Sequence, residues 1–491
     1  MMRVRGQGSG VKGAGIPSLF GIATLLSILM LSACARHPAP GDPRTMTFSP
    51  VEFAPPEPER VVFDNGMVVY LLEDHELPLI TITASMRTGS WLDPSDEIGL
   101  AAMTGSVMRT GGGGDLSAEQ VDEELEQFAG DISISIGRQS GSASLDVLSK
   151  NFKRGLHIFA GLLRTPAFEA ARVELAKLQA IEGIRRRQDN PGSIFSREFV
   201  KMLYGAEHPT ARESSIESVK RITREDLVAF HRTTIHPNGI VLGVTGDFTR
   251  DEMLAALRAA FGDWRRGTVP ELKIADVPEP EASKLAVRFI DKETTQAHLR
   301  VGHLSIREND PDYVALAIAN DILGGSSFRS RIFNDVRTKR GLAYSVGSRL
   351  NVGVHDQGIW LVRAETKLSS TQEVIGRFLE NIERMRTELV GDAELAEAKE
   401  AYVNSFVFSF SSPSAIVSRL IELEYDGLPK DFLQQLREKV VKLTREDILA
   451  AARKHLLPDR LKIIAVGSGE TLPKVLSSFG EVQEIKLVPE G

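Results

Sequence analysis

Residues 219–246 and 440–467 are close to one sequence written twice. VKRITREDLVAFHRTTIHPNGIVLGVTG aligns with VVKLTREDILAAARKHLLPDRLKIIAVG at a constant offset and without a gap, so that Thr223 falls on Thr444, Pro237 on Pro458 and Gly246 on Gly467. Each copy holds a Thr suited to cap a helix, an Arg-Glu-Asp opening turn, a Pro-containing turn and an apolar run that ends in Gly. A repeat of that length limits the chain to two copies of one α+β domain. The 491 residues have room for both. The domains are placed at 59–265 and 285–491, with a linker at 266–284 that carries Pro270, Pro278 and Pro280 among charged residues.

The first stretch of the chain gives an expectation of where it works. Arg3, Arg5 and Lys12 precede a mostly apolar run, Ile16 to Leu31, which leads into Leu31-Ser32-Ala33-Cys34. This is the layout of a signal peptide, residues 1–34, and it resembles a bacterial lipoprotein signal in which Cys34 is lipidated and becomes the first residue. The apolar run is short for a transmembrane helix. Ala35, where Asp would favour inner-membrane retention, points to an outer-membrane anchor facing the periplasm. A Pro-rich tether follows at 35–58. Cys34 is the one cysteine, so no intrachain disulfide forms. A net charge of −7 with only short basic runs gives no footprint for nucleic acid.

Within the first domain, Asn65-Gly66 between apolar runs predicts a two-residue hairpin. A strand is predicted over Ile80–Met86 and a helix over Gly99–Met108, joined by an acidic turn with Asp93, Pro94, Asp96 and Glu97. Gly111 to Gly114 are read as a flexible turn, because no phosphate-loop residues follow them. Helices are predicted over 117–128, 152–163 and 168–187, the last ended by Asp189-Asn190-Pro191, and Ser214–Ser218 is read as a short turn. Another helix opens at Thr223, a strand covers 238–244, and 251–261 is helical.

The stretch Arg87–Thr110 resembles the catalytic entry of the pitrilysin/insulinase-like zinc peptidases. There a strand ending near R-x-G-S leads to an acidic turn and then to G-L-A-H-x-x-E-H. Arg87, Gly89, Ser90, Gly99, Leu100 and Ala101 match that frame. The chemistry is absent. In register, the two His ligands fall on Ala102 and Ser106 and the catalytic Glu on Gly105. A helix sets i and i+4 on one face so that two imidazoles can hold Zn²⁺ while the Glu takes a proton from metal-bound water. A methyl, a hydroxyl and a hydrogen do none of this. The family's third ligand, a Glu upstream of D-N-P, falls on Gly183, and Glu182 is about 100° around the helix from it. The ten His residues include the pairs His231/His236 and His298/His303, whose spacing of five suits neither a helix face nor one strand face, so packing or surface roles are expected for them.

The segment 327–350 resembles the family's C-terminal motif, in which an Arg and a Tyr grip substrate. Arg337 and Tyr344 fall on those positions. The Arg can donate to the peptide carbonyl beside the scissile bond, and the Tyr hydroxyl to the developing oxyanion. The resemblance, over roughly 58–480, implies two domains each with a mixed β-sheet and helices packed on one side, together half of a clam-shell chamber. It also implies pairing, since in some bacterial members one chain carries zinc and another the Arg and Tyr. The expected function is therefore that of a zinc-free partner subunit that binds no cofactor, with Zn in a homologous partner subunit and a peptide or unfolded polypeptide as substrate. A peptide-binding or assembly scaffold without proteolysis is the main alternative, and an active zinc endopeptidase with unusual ligands is the third. The strands Ile80–Met86 and Gln296–Val301 are candidates for exposed edges that add a peptide as an extra strand.

Overall fold

The computed structural model describes residues 56–272, 277, 284–408 and 410–487. The signal peptide, Cys34 and most of the tether lie outside the described residues, as does part of the linker. Among the described residues no helix is long and apolar enough to cross a membrane.

The first half runs β1 (Glu59–Val62), β2 (Val68–Glu73), β3 (Leu79–Met86), α1 (Leu100–Thr110), α2 (Ala118–Gln127), β4 (Asp131–Ile136), β5 (Gly141–Leu148), α3 (Phe152–Arg164), α4 (Ala170–Arg186), α5 (Pro191–Tyr204), α6 (Ile216–Arg221), α7 (Arg224–Thr234), β6 (Ile240–Gly246) and α8 (Arg250–Phe261). The second half runs β7 (Ala286–Asp291), β8 (Gln296–Leu304), α9 (Tyr313–Asn320), two π-helical turns (Asp321–Gly325 and Phe333–Lys339), β9 (Ala343–Asn351), β10 (Ile359–Lys367), α10 (Thr371–Thr387), α11 (Asp392–Phe408), α12 (Pro413–Asp426), α13 (Phe432–Lys442), α14 (Arg445–His455), β11 (Lys462–Gly467), α15 (Leu472–Leu476) and β12 (Val482–Glu484).

Two six-stranded sheets result, ordered β1-β2-β6-β3-β5-β4 and β12-β7-β11-β8-β10-β9. Five strands of each sheet follow the same path, with the pairs β2–β6 and β7–β11 parallel and the others of this shared set antiparallel. The repeated segment supplies the capped helix and following strand in both halves. Thr223 accepts from Asp226 N and Thr444 from Asp447 N, each in a reciprocal capping box. Alternation then buries one face of each strand, as in β4, where Ile132, Ile134 and Ile136 are buried and the residues between them exposed.

Several expectations are corrected. β3 lies between β6 and β5, and β8 between β11 and β10, so neither proposed edge strand is an edge. Edges belong to β1, β4, β9 and β12. The Asn65-Gly66 hairpin is wider than two residues, because Val62 pairs with Val68. Asn65 is buried there, accepting from Met67 N and donating to Phe261 O, and this opens the loop. The glycine run is packed and not loose. Gly113 bridges to Leu116 and Pro166, and a Cβ on it would meet Gly161 O at 3.0 Å. Asn190-Pro191 ends α4 and also starts α5, with Pro191 in the first turn and Asn190 Oδ1 accepting from Gly192 N and Ser193 N. Ser215 caps α6, where only a turn was expected.

The second face of each sheet is covered by a helix from the other half. Ile194, Phe199 and Met202 of α5 form a buried cluster with Ile290, Ile464 and Val466 of the second sheet. Val417 and Ile421 of α12 pack on Tyr70 and Val241 of the first sheet. Gly243 of β6 permits that approach, since a Cβ there would lie 2.2 Å from Val417 Cγ1. Polar contacts fix the same crossing: Tyr70 Oη donates to Glu424 (2.8 Å), Arg87 Nη2 to Tyr425 O (2.8 Å), and Thr210 Oγ1 to Asp356 (2.8 Å).

Candidate functional site

The strand–turn–helix frame around the absent zinc motif is built as the sequence suggests. After β3, a short 3₁₀ turn (Ser90–Leu92) brings in Asp93, whose buried carboxylate accepts from Gly99 N (2.8 Å) and Ala101 N (2.9 Å). Asp93 thereby satisfies free N–H groups at the start of α1, a task Gly99, at φ +112°, has no side chain to perform. Burial pushes the Asp93 carboxyl up to about 6, against the pull of those two backbone donors.

On α1, Leu100, Met103, Val107 and Met108 face the core, and Ala102 and Ser106 share the exposed side. Gly105 is different in kind. A Cβ there would sit 2.6 Å from Ile136 N and 3.0 Å from Ser135 C, so the backbone of β4 occupies the space a side chain would take. Gly183, on the neighbouring α4, is exposed, and an added Cβ would find nothing within 4 Å. Glu182 is held by Arg186 (2.6 Å) and Arg185 (3.9 Å). The three positions named as ligands thus carry a methyl, a hydroxyl and a hydrogen, and the general-base position is closed by packing.

One group among the described residues has the spacing to hold a metal, Asp310, Asp312 and His455, with ligand atoms within 4.8 Å of one another. Lys454 Nζ already lies 2.6 Å from Asp312 Oδ2, and His455 Nε2 2.8 Å from the same oxygen. These hydrogen bonds hold the Asp312 carboxyl below its ordinary range. A lysine ammonium supplies the positive charge in this cluster. His303 has a packing role. Its Nδ1–H donates to Leu304 O (2.7 Å), its Nε2 accepts from Leu457 N (3.2 Å), and burial lowers its pKa to about 4, so the ring is neutral.

The second half presents Arg337 and Tyr344 together. Arg337 sits in the π-helical turn Phe333–Lys339 and Tyr344 on the edge strand β9. The Arg337 guanidinium carbon lies 4.7 Å from the Tyr344 ring centroid, 4.9 Å from Phe333 and 5.6 Å from Phe328. Each such contact is worth about 0.5–1 kcal/mol at an exposed site. Tyr344 is 82% exposed and Phe328 71%, and Phe328 adopts a left-handed φ of +63°. Exposed aromatics around a cation, one with a backbone cost of about 1–3 kcal/mol, are the mark of a site more than of a core. The turn is held from behind by Asp335, which takes Arg377 (2.7 Å), Arg340 (3.0 Å) and Asn381 (3.0 Å).

Arg337 and Tyr344 line a cleft of about 630 Å³ that also takes Ser196 and Phe199 of α5 and Arg300, Arg349 and Arg363 of the sheet. Arg300 stacks 4.7 Å from Phe195 and donates to Ser196 Oγ (2.8 Å). Burial, together with Arg363 nearby, pushes Arg300 down to about 10. Sequence reasoning missed Phe328, Phe333 and these three arginines. Each arginine lies on a different strand, and no local pattern says which strands pair.

A family model described as the peptidase M16 inactive domain matches residues 221–402. The chain is 26% identical over 371 residues to an uncharacterized zinc protease of Mycobacterium tuberculosis, covering 74% of this chain and 83% of that protein. It is 24% identical over 389 residues to a Helicobacter pylori protein named a non-peptidase homolog, covering 78% and 88%. The crystal structure of a peptidase M16 inactive domain from Pseudomonas fluorescens matches with a TM-score of 0.74 at 27% identity, over 84% of this chain and 98% of that one. The periplasmic protease PqqL of Escherichia coli shares the fold, with a TM-score of 0.68 at 16% identity, over 91% of this chain and 50% of that one.

Proposed function

We propose, for a chain that belongs to the peptidase M16 family and lacks the family's zinc-binding motif, a role as the non-catalytic subunit of a zinc metallopeptidase. It pairs with a homologous subunit that carries the zinc, and supplies Arg337 and Tyr344 to a site shared between them. It is anchored through a lipid on Cys34 and faces the periplasm, at the outer membrane. The partner supplies the metal that polarises the scissile carbonyl and activates water. In this chain, Arg337 positions the peptide by donating to a backbone carbonyl, and the Tyr344 hydroxyl donates to the oxyanion as it forms.

The observation that carries this reading is the placement of Arg337 and Tyr344. They touch each other, stand at the mouth of one cleft, and have no protein partner for the Tyr344 hydroxyl among the described residues. Interactions made only in the transition state raise turnover, and an unengaged hydroxyl in open space suits that use.

The test is Tyr344→Phe in the complex captured from membranes. The substitution keeps the ring and its contact with Arg337. The heterodimer is expected to form normally and to turn over about 10²–10³-fold more slowly, with substrate affinity changed less. Full activity with both Arg337→Ala and Tyr344→Phe would make the chain a scaffold.

A further inference from the structure

We propose that the cleft beside Arg337 and Tyr344 selects acidic peptide segments, by pairing side-chain carboxylates with Arg300, Arg349 and Arg363. This rests on the peptide-binding reading above and specifies its substrate class.

The argument begins with where these arginines stand. Arg300 of β8 and Arg363 of β10 are direct partners in the antiparallel register. Arg363 is also opposite Gly347 of β9, and Arg349 is opposite Leu361 two pairs further along. In this register all three side chains belong to one face of the sheet, the face that lines the cleft. With Arg337 they make four guanidinium groups around one opening. Like charges placed directly opposite across strands are unfavourable, and Arg300 is also partly buried, which penalises its charge further.

Among the described residues no carboxylate pairs with that charge, and none of the four has one within ion-pairing distance. Arg300 donates to Ser196 Oγ, Arg349 Nε donates to Asn351 Oδ1 (2.9 Å), and Arg337 contacts only rings. An acid on the same face, Glu365, is two pairs further along β10 and lies 3.6 Å from His298. Elsewhere the molecule pairs its arginines freely: Arg331 with Glu394, Arg377 and Arg340 with Asp335, Arg60 with Glu424. The whole chain carries a net charge of −7, so a cleft of unpaired arginines does not follow from composition.

The geometry states what would satisfy the site. Guanidinium groups present planar forks that match carboxylates in a bidentate fashion. Three of them on the strands of one sheet face repeat along an extended chain, so a polypeptide with spaced Glu or Asp side chains can meet more than one. The exposed Tyr344 and Phe328 rings cover the apolar parts of such a chain.

The test uses the full chain and fluorescence anisotropy with labelled, C-terminally amidated extended peptides: a Glu-containing one, its Gln-for-Glu counterpart, and a Lys-for-Glu counterpart. The Glu peptide is expected to bind about tenfold or more tightly than the Gln peptide, since charge-assisted hydrogen bonds exceed neutral ones. The Lys peptide is expected to bind weakest, and the preference to shrink with added salt. Arg349→Gln/Arg363→Gln, both on exposed side chains, should bring the Glu and Gln peptides to near parity while the melting temperature is kept. If all three peptides bind alike, or the double variant keeps the preference, the acidic class is wrong while peptide binding stands. If the unaltered chain binds no peptide of any charge, the peptide-binding reading fails with it.

Discussion

Gly105 stands at the general-base position and Gly183 at the third ligand position of the missing zinc motif, and the structure sets their surroundings apart in a way that can be measured. Both are helical glycines, so replacing either by Ala gains about 0.5–1 kcal/mol of helix propensity. That term is common to the two and cancels in their comparison. At Gly183 a Cβ meets nothing within 4 Å, so the gain is realised and Gly183→Ala is expected to stabilise. At Gly105 the Cβ would lie 2.6 Å from Ile136 N, 3.0 Å from Ser135 C and 3.0 Å from Ile136 Cγ1. Two of these atoms are strand backbone and cannot rotate away. Overpacking of this kind costs about 1–3 kcal/mol, so Gly105→Ala is expected to be less stable than Gly183→Ala by about that amount. Urea unfolding followed by tryptophan fluorescence, to which Trp91 in the turn before α1, Trp264 and Trp360 contribute, reads the midpoints of both variants. Equal midpoints, or a more stable Gly105→Ala, would refute the packing argument. A Glu at 105 is larger still, so writing the catalytic residues back at 102, 105 and 106 is not expected to restore a zinc site without moving β4.

Two further outcomes follow. His303, lowered to about 4 by burial, is neutral in the fold and has an ordinary pKa of about 6.5 when unfolded. A depressed folded pKa gives stability that is present above pH 6.5 and lost as the pH falls through 4, about 3 kcal/mol in full. Asp93, raised to about 6, runs the other way in the same window, because its folded form favours the proton. The clean measurement is therefore the difference between the unaltered chain and His303→Gln, which is expected to shrink as the pH falls from 7 to 4; parallel profiles would refute it. Gly243→Val should be destabilised by at least about 1–3 kcal/mol in thermal or urea unfolding, because its side chain would enter the space of Val417 and Ile421 and push α12 off the sheet; unchanged stability would show that α12 docks otherwise.

What could be read from the sequence was what is local or repeated. The capping boxes at Thr223 and Thr444 and the strands that follow them are written within a few residues, and the repeat makes them legible twice. The turn that delivers Asp93 to α1 is likewise contiguous. Where reading failed, a residue had two uses or a distant partner. Asn190-Pro191 is a stop for one helix and a start for the next, and only the stop was read. The run Gly111–Gly114 has no side chains to announce burial, yet Gly113 needs that smallness to pack on Gly161. Which strands are edges depends on β5 and β10 returning to pair outside β3 and β8, a non-local choice. The cleft arginines were invisible for the same reason, since Arg300 meets Arg363 only through that register.

The exchange of helices between the halves bears on motion. A two-lobed protein often admits its ligand by swinging one lobe about the connecting segment. Here such a swing would strip Phe199 from Ile464 and Val417 from Val241 in the same movement, exposing two apolar faces at once. The halves are clasped by α5 and α12. The cleft at Arg337 has one wall from each half, and its width is set by this clasp. Any opening of that cleft must then come without the two halves parting.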